Sequence, residues 1–135
     1  MSPPGLRSVV VDCVRPHELA RFWAAALGYA VRPYDDAEVE RLRAAGIDDV
    51  EDDPSVVIDP PAEGPTIWFN RVPEPRVGKN RVHLDIDLPD AAGIEQLLTL
   101  GATLVRPLGA VPDEPWVVLA DPEGNEFCAF PPASP

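Results

Sequence analysis

The chain has 135 residues, of which 45% are apolar, and a formal net charge of −12. That size and composition suit one domain with a real core and exclude a disordered chain. The charge argues against nucleic acid or an anionic membrane as the main partner, since both select a basic face, and no apolar run has the length of a bilayer span.

In chain order, Leu6–Val14 (LRSVVVDCV) is a β-branched run and predicts a strand. Pro16 then opens a helix at a position where its missing N–H costs nothing. Leu19, Phe22, Trp23, Ala26 and Leu27 recur at helical spacing, so one face of this helix is buried, and Gly28 ends it. YAVRP is a short strand. The acidic stretch Tyr34–Pro54 follows, with a short helix expected over Ala37–Ala45. Ser55–Asp59 (SVVID) and Thr66–Val72 (TIWFNRV) are strands separated by the turn PPAEGP. RVHLDID (Arg81–Asp87) opens the second half. It reads as a strand with His83, Asp85 and Asp87 on one face and Val82, Leu84 and Ile86 on the other. Pro89 and Asp90 introduce a helix that turns Ile94, Leu97 and Leu98 inward and stops at Gly101. TLVRP, Trp116–Ala120 and Glu126–Phe130 are strands, the last two joined by DPEGN, in which Asp caps the turn and Pro presets φ.

The two halves are one unit used twice: strand, helix, strand, strand, strand. LGYAVRP (Leu27–Pro33) matches LGATLVRP (Leu100–Pro107), and DPPAEGP matches DPEGN. The helix ends Gly28 and Gly101 are 73 positions apart, whereas the Asp-Pro turns at Asp59 and Asp121 are 62 apart, so the first half carries about 11 extra residues. They fall in the acidic stretch. It reads either as a solvated lid outside the shared unit, mobile and dispensable because its charges resist burial, or as a contributor to substrate specificity. The expected fold is α+β, a single domain over 1–135 with module one at 6–72 and module two at 80–130. Cys13 has the opposite parity to Asp12 and belongs to the core; both it and Cys128 are expected to be thiols in a reducing, cytoplasmic setting.

Two βαβββ modules, the helix end FWAAALGY, and the stretches GKNRVHLDID, LGAT and DPEGNEFC together resemble the vicinal oxygen chelate superfamily, in particular its small bacterial glyoxalase-like domains. That superfamily includes glyoxalase I, extradiol dioxygenases, methylmalonyl-CoA epimerase, and fosfomycin- and bleomycin-resistance proteins. The resemblance implies curled mixed sheets around a cleft, a small-molecule ligand and a homodimer. It also implies that a metal, where one is bound, takes His, Gln or Glu from the first and last strands of each module. Carried onto this chain, those positions are Ser8, Trp68, His83 and Cys128. Trp cannot ligate, Ser is a weak ligand, and His plus Cys falls short of the three protein ligands of catalytic zinc. Either the metal has been lost or neighbours on the same faces supply a shifted site, such as His83 with Glu126 and an Asp.

The catalytic candidates are therefore His83, Glu126 and Asp85, and the ligand-binding candidates Ser8, Asp12, Trp68, Arg81 and Cys128. No cofactor is expected, the alternative being a divalent metal. His83 reads as a structural histidine bonded to a carboxylate or as a general acid/base, for which its ordinary pKa suits it. Cys128 could form an activated thiolate beside His83, or simply pack. Trp68 could stack a flat ligand or fill the space of a lost metal. Arg81 could meet an anionic group, and an acidic cleft lining would favour a cationic or hydroxyl-rich ligand. His17, in the first turn of a helix, reads as exposed and inert. The expected function is a small-molecule binding protein or metal-independent enzyme of the glyoxalase-like group. The alternative is a divalent-metal-dependent lyase, isomerase or epimerase with a non-standard ligand set.

Overall fold

The computed structural model describes residues 2–133. The chain divides into two compact units, Met1–Pro75 and Arg76–Pro135, parted in the Pro-rich segment between the halves. The first holds strand β1 (Ser8–Cys13), helix α1 (Pro16–Leu27), β2 (Ala30–Val31), α2 (Asp36–Ala44), a 3-10 turn over Val50–Asp52, β3 (Ser55–Asp59) and β4 (Thr66–Arg71). The second holds β5 (Asp85–Asp87), α3 (Ala92–Leu100), β6 (Thr103–Arg106), β7 (Val117–Ala120) and β8 (Glu126–Phe130). The sheets run β1-β4-β3-β2 and β5-β8-β7-β6, and in each the first pair is parallel and the others antiparallel. The architecture is α+β with two βαβββ modules, as expected.

Local chemistry explains the elements. Pro16 starts α1, and Gly28 ends it in the left-handed region at φ 70°, donating its N–H to the Ala24 carbonyl. Leu19, Ala20, Phe22 and Trp23 are buried on α1, which packs on β3 and β4. Val56, Ile58, Ile67, Phe69 and Cys13 complete that core. The second unit buries Val117, Leu119, Phe127, Ala129 and Leu97. Each large fully buried side chain contributes about 1.5–3 kcal/mol. Gly93 of α3 is buried against Leu88; a Cβ at this position would lie 3.0 Å from one Leu88 methyl, so a larger residue requires the Leu88 side chain to give by a few tenths of an ångström.

Three expectations need correction. RVHLDID is not a full strand: only Asp85–Asp87 joins the ladder, and Arg81 and Val82 lie in a bend. Beyond the Cys128 N–H bond to Leu84 O, a side chain takes over. Asn80 accepts from the Glu126 N–H and donates to Asn125, so the chain is held beside β8 without strand geometry. The Asp-Pro turns are not in register either. Asp59 is a strand residue opposite Ala30, the place that Ala120 takes opposite Thr103, while Asp121 is a buried turn cap accepting from the Glu123 and Asn125 N–H groups.

The third concerns the acidic insert and His17. The helix expected there forms over Asp36–Ala44, capped by Asp35 accepting from the Glu38 N–H, but the insert is no detached flap. Leu42 is 3% exposed and Asp53 is 5% exposed. His17 is buried, its Nε2 2.6 Å from the Val50 carbonyl oxygen and 3.2 Å from the Tyr34 hydroxyl. A carbonyl only accepts, so Nε2 carries the proton. Tyr34 donates to Asp53 at 2.7 Å, and Asp53 also accepts from the Ser55 N–H. Burial, with the adjacent Asp53 carboxylate, pushes the Tyr34 pKa well above its ordinary value. Most of the insert's charges stay exposed, while buried Leu42 and a satisfied polar chain from His17 through Tyr34 and Asp53 to Ser55 anchor it to α1 and β3.

Candidate functional site

Register relates the two modules position by position. Trp68 pairs with Val10 and Val57, and Cys128 pairs with Asp85 and Val118. Trp68 and Cys128 therefore hold the same place, as do Val10 and Asp85, and so do Ser8 and His83, two residues earlier. The count that placed Ser8, Trp68, His83 and Cys128 at corresponding positions is consistent with this register.

In the first unit, the sheet face opposite α1 carries Ser8, Val10, Asp12, Trp68 and Asn70. The Ser8 hydroxyl is 2.7 Å from that of Thr66. Asp12 is exposed and pairs with Asn70, whose side-chain oxygen accepts from the Ser55 hydroxyl. Trp68 is half-buried and walls a cavity of about 390 Å³. Val57, Tyr34, Leu42 and Ile47 also line it, and Arg32, Arg41, Glu38 and Asp53 supply its charges. The Arg32 guanidinium sits 5.9 Å from the Trp68 ring centroid, a cation–π distance, and makes a two-point bond to Asp59 at 2.9 and 2.6 Å. Hydrogen bonding to Arg32 holds the Asp59 carboxyl below its usual range.

In the second unit, the corresponding face carries His83, Asp85, Cys128 and Glu126. His83 Nδ1 lies 3.4 Å from Asp85 Oδ1. One donor atom each from His83, Asp85 and Cys128 lies within 4.8 Å of the other two. Burial first, and then the charge and hydrogen bond of Asp85, push the Cys128 thiol up, so Cys128 is a poor thiolate nucleophile as it stands. Glu126, the third catalytic candidate, stands apart from the trio and faces Lys79 at 3.7 Å. His83, Cys128, Glu126, Lys79, Arg106 and Trp116 line a cavity of about 460 Å³. Arg81 lies exposed in the bend before β5 and is not among its lining residues.

Sequence reasoning missed Arg32, Tyr34 and Arg106. The repeated VRP was the available signal. The second copy holds one more residue than the first, and β6 absorbs it as an irregularity between Leu104 and Arg106, which leaves Arg106 opposite Val118. Arg32 binds the carbonyl of Val57, the residue that corresponds to Val118. Both arginines thus reach the cavity face of their own sheet. The carboxylate lining expected from strand alternation, with Asp12, Asp85, Asp87 and Glu126 on the cleft faces, is not found: each cavity mixes both signs, and of these four only Glu126 lines one. Both cysteines are thiols, Cys13 buried in the core and Cys128 on the cavity face.

The four positions carried over from the superfamily do not fit its metal set, because Trp68 has no donor and the Ser8 hydroxyl is already engaged by Thr66. Among the described residues, donors in ligating proximity occur only as the trio within the second unit. No helix there is long and apolar enough to cross a membrane.

Comparison with known proteins agrees on the fold. A glyoxalase/bleomycin resistance protein/dioxygenase family enzyme from Burkholderia phytofirmans is 19% identical, with a TM-score of 0.62 over 93% of this chain and 97% of that one. The fosfomycin resistance protein FosX from Mesorhizobium loti is 14% identical, with a TM-score of 0.62 over 98% and 94%. TioX from Micromonospora is 16% identical, with a TM-score of 0.56 over 93% and 97%. These likenesses are of fold alone. No curated protein matches the sequence. The model of the glyoxalase-like domain matches residues 8–130, nearly the whole chain, and the protein therefore belongs to the glyoxalase-like domain family.

Proposed function

We propose that this chain is a small-molecule binding protein or metal-independent enzyme of its family, with a flat ligand held against Trp68. The observation that carries this reading is the placement of Trp68: an indole stands where related folds would offer a metal ligand, and it walls a cavity of about 390 Å³ with Arg32 over the ring. That volume lies in the range of small-molecule sites. The ring gives a stacking surface, and Arg32 and Arg41 give donors for a polar or anionic substituent. If the protein has a catalytic activity, His83 is the proton carrier for a substrate in the second unit's own cavity, with Asp85 beside Nδ1 to orient the ring and leave Nε2 for that substrate. Both modules are read as one domain, with a homodimer and a reducing intracellular setting as further parts of the proposal.

The test is a thermal-shift screen of aromatic and polar metabolites, repeated on Trp68→Ala. A ligand at a hundred times its Kd stabilises by about 2.7 kcal/mol, a shift of several degrees. Hits should lose that shift in the variant. Hits that keep it in full would sink the reading.

A second reading has one observation of its own. The trio of His83, Asp85 and Cys128 favours a divalent-metal-dependent lyase, isomerase or epimerase with a non-standard ligand set.

A further inference from the structure

We propose that the Trp68 cavity takes a planar aromatic zwitterion of the α-amino acid class, its ammonium met by Glu38 and its carboxylate by Arg41. The proposal rests on the stacking role of Trp68 given above and names the ligand class for that cavity.

The inner face of α2 carries it. Glu38, Arg41, Leu42 and Ala45 recur at i, i+3, i+4 and i+7, and all four line the cavity together with Trp68. Leu42 is buried, as an inner position should be, while Glu38 is half-buried and Arg41 exposed. A surface helix ordinarily turns its charges outward. Here two charges of opposite sign share the face of the buried leucine.

The same helix supplies a control. Glu40 and Arg43 repeat the order and spacing of Glu38 and Arg41 but lie outside the cavity lining, and they close on each other at 2.9 Å. Glu38 and Arg41 do not close. Among the described residues, neither side chain has an ion-pair or hydrogen-bond partner. The other charges at the cavity are already answered. Arg32 makes its two-point bond to Asp59, and the two oxygens of Asp53 accept from the Tyr34 hydroxyl and the Ser55 N–H.

One free carboxylate and one free guanidinium therefore remain beside one indole wall. A ligand with a single charge would answer one of them and leave the other unpaired. An ammonium and a carboxylate on one carbon, joined through a methylene to a flat ring, answer both while the ring stacks on Trp68. The planar fork of Arg41 suits the carboxylate, and the Glu38 carboxylate accepts from the ammonium.

The experiment is isothermal titration of the full chain with three probes of one skeleton. L-Phenylalanine carries both charges, 3-phenylpropionate the carboxylate alone, and 2-phenylethylamine the ammonium alone. L-Phenylalanine should bind at least about fivefold more tightly than either, the effect of one charge-assisted hydrogen bond at a partly solvated site. Glu38→Gln should remove the preference over 3-phenylpropionate, and Arg41→Gln the preference over 2-phenylethylamine. Glu40→Gln and Arg43→Gln, on the outer face, should leave all three affinities within about twofold. Trp68→Ala should weaken all three probes, and circular dichroism checks that each variant is folded. Three equal affinities, no saturable binding of L-phenylalanine, or preferences that survive Glu38→Gln and Arg41→Gln would overturn the zwitterion assignment. If Trp68→Ala still weakens the probes in that case, the stacking role stands and only the ligand class falls. Affinities unchanged in Trp68→Ala would overturn both.

Discussion

The two modules present the same backbone with different side chains at three matched places. Ser8, Val10 and Trp68 line the face of the first sheet; His83, Asp85 and Cys128 line that of the second. The pairing is the same in both, since Trp68 stands beside Val10 as Cys128 stands beside Asp85. One set gives an aromatic wall and the other gives three donors in reach of one another. A repeated fold therefore fixes where side chains converge and leaves their chemistry to residue identity. The modules differ in cover as well, because only the first carries α2 and the 3-10 turn between its second and third strands.

The largest effect should come from moving the donors across. The triple variant Ser8→His, Val10→Asp, Trp68→Cys recreates the trio in the first module. Val10 is exposed and Ser8 half-buried, so both positions have room. On the metal-dependent reading of the second module's trio, equilibrium dialysis against Zn²⁺ should rise from one ion per chain to two. An unchanged stoichiometry would show that shared register is not enough to build the site, and that the irregular approach to β5 matters.

A smaller effect tests the difference in cover. Leu42→Ala empties a buried place on the inner face of α2 and should cost about 2–5 kcal/mol, read from the urea midpoint. A change below about 0.5 kcal/mol, the size of a surface substitution, would restore the picture of a detached flap.

The smallest effect concerns the one-residue difference between the VRP copies. Deleting Val105 removes the residue that β6 accommodates as an irregularity and gives the second copy the length of the first. Arg106 should remain opposite Val118, with a stability change below about 1 kcal/mol, since Val105 is 48% exposed and little packing is lost. A larger loss would mean that the bulge itself supports the sheet.

Much of this was legible in the sequence because it rests on local rules. Pro16 and Gly28 bracket α1, a β-branched run marks β1, and Asp121 caps its turn through groups two and four residues away. Each rule acts over a few residues, so the doubled module and the matched places of Ser8, His83, Trp68 and Cys128 could be counted along the chain. Burial of His17 could not be, because the Val50 carbonyl that holds it is 33 residues away. Nor could the insert be read from charge, since a buried leucine and a Tyr34–Asp53 hydrogen bond anchor a run of acids most of which face solvent. The sequence offered several carboxylates as partners for His83. Only pairing across β5 and β8 selects Asp85 and Cys128 and leaves Glu126 to Lys79, because distance between strands is set by hydrogen-bond register and not by separation along the chain.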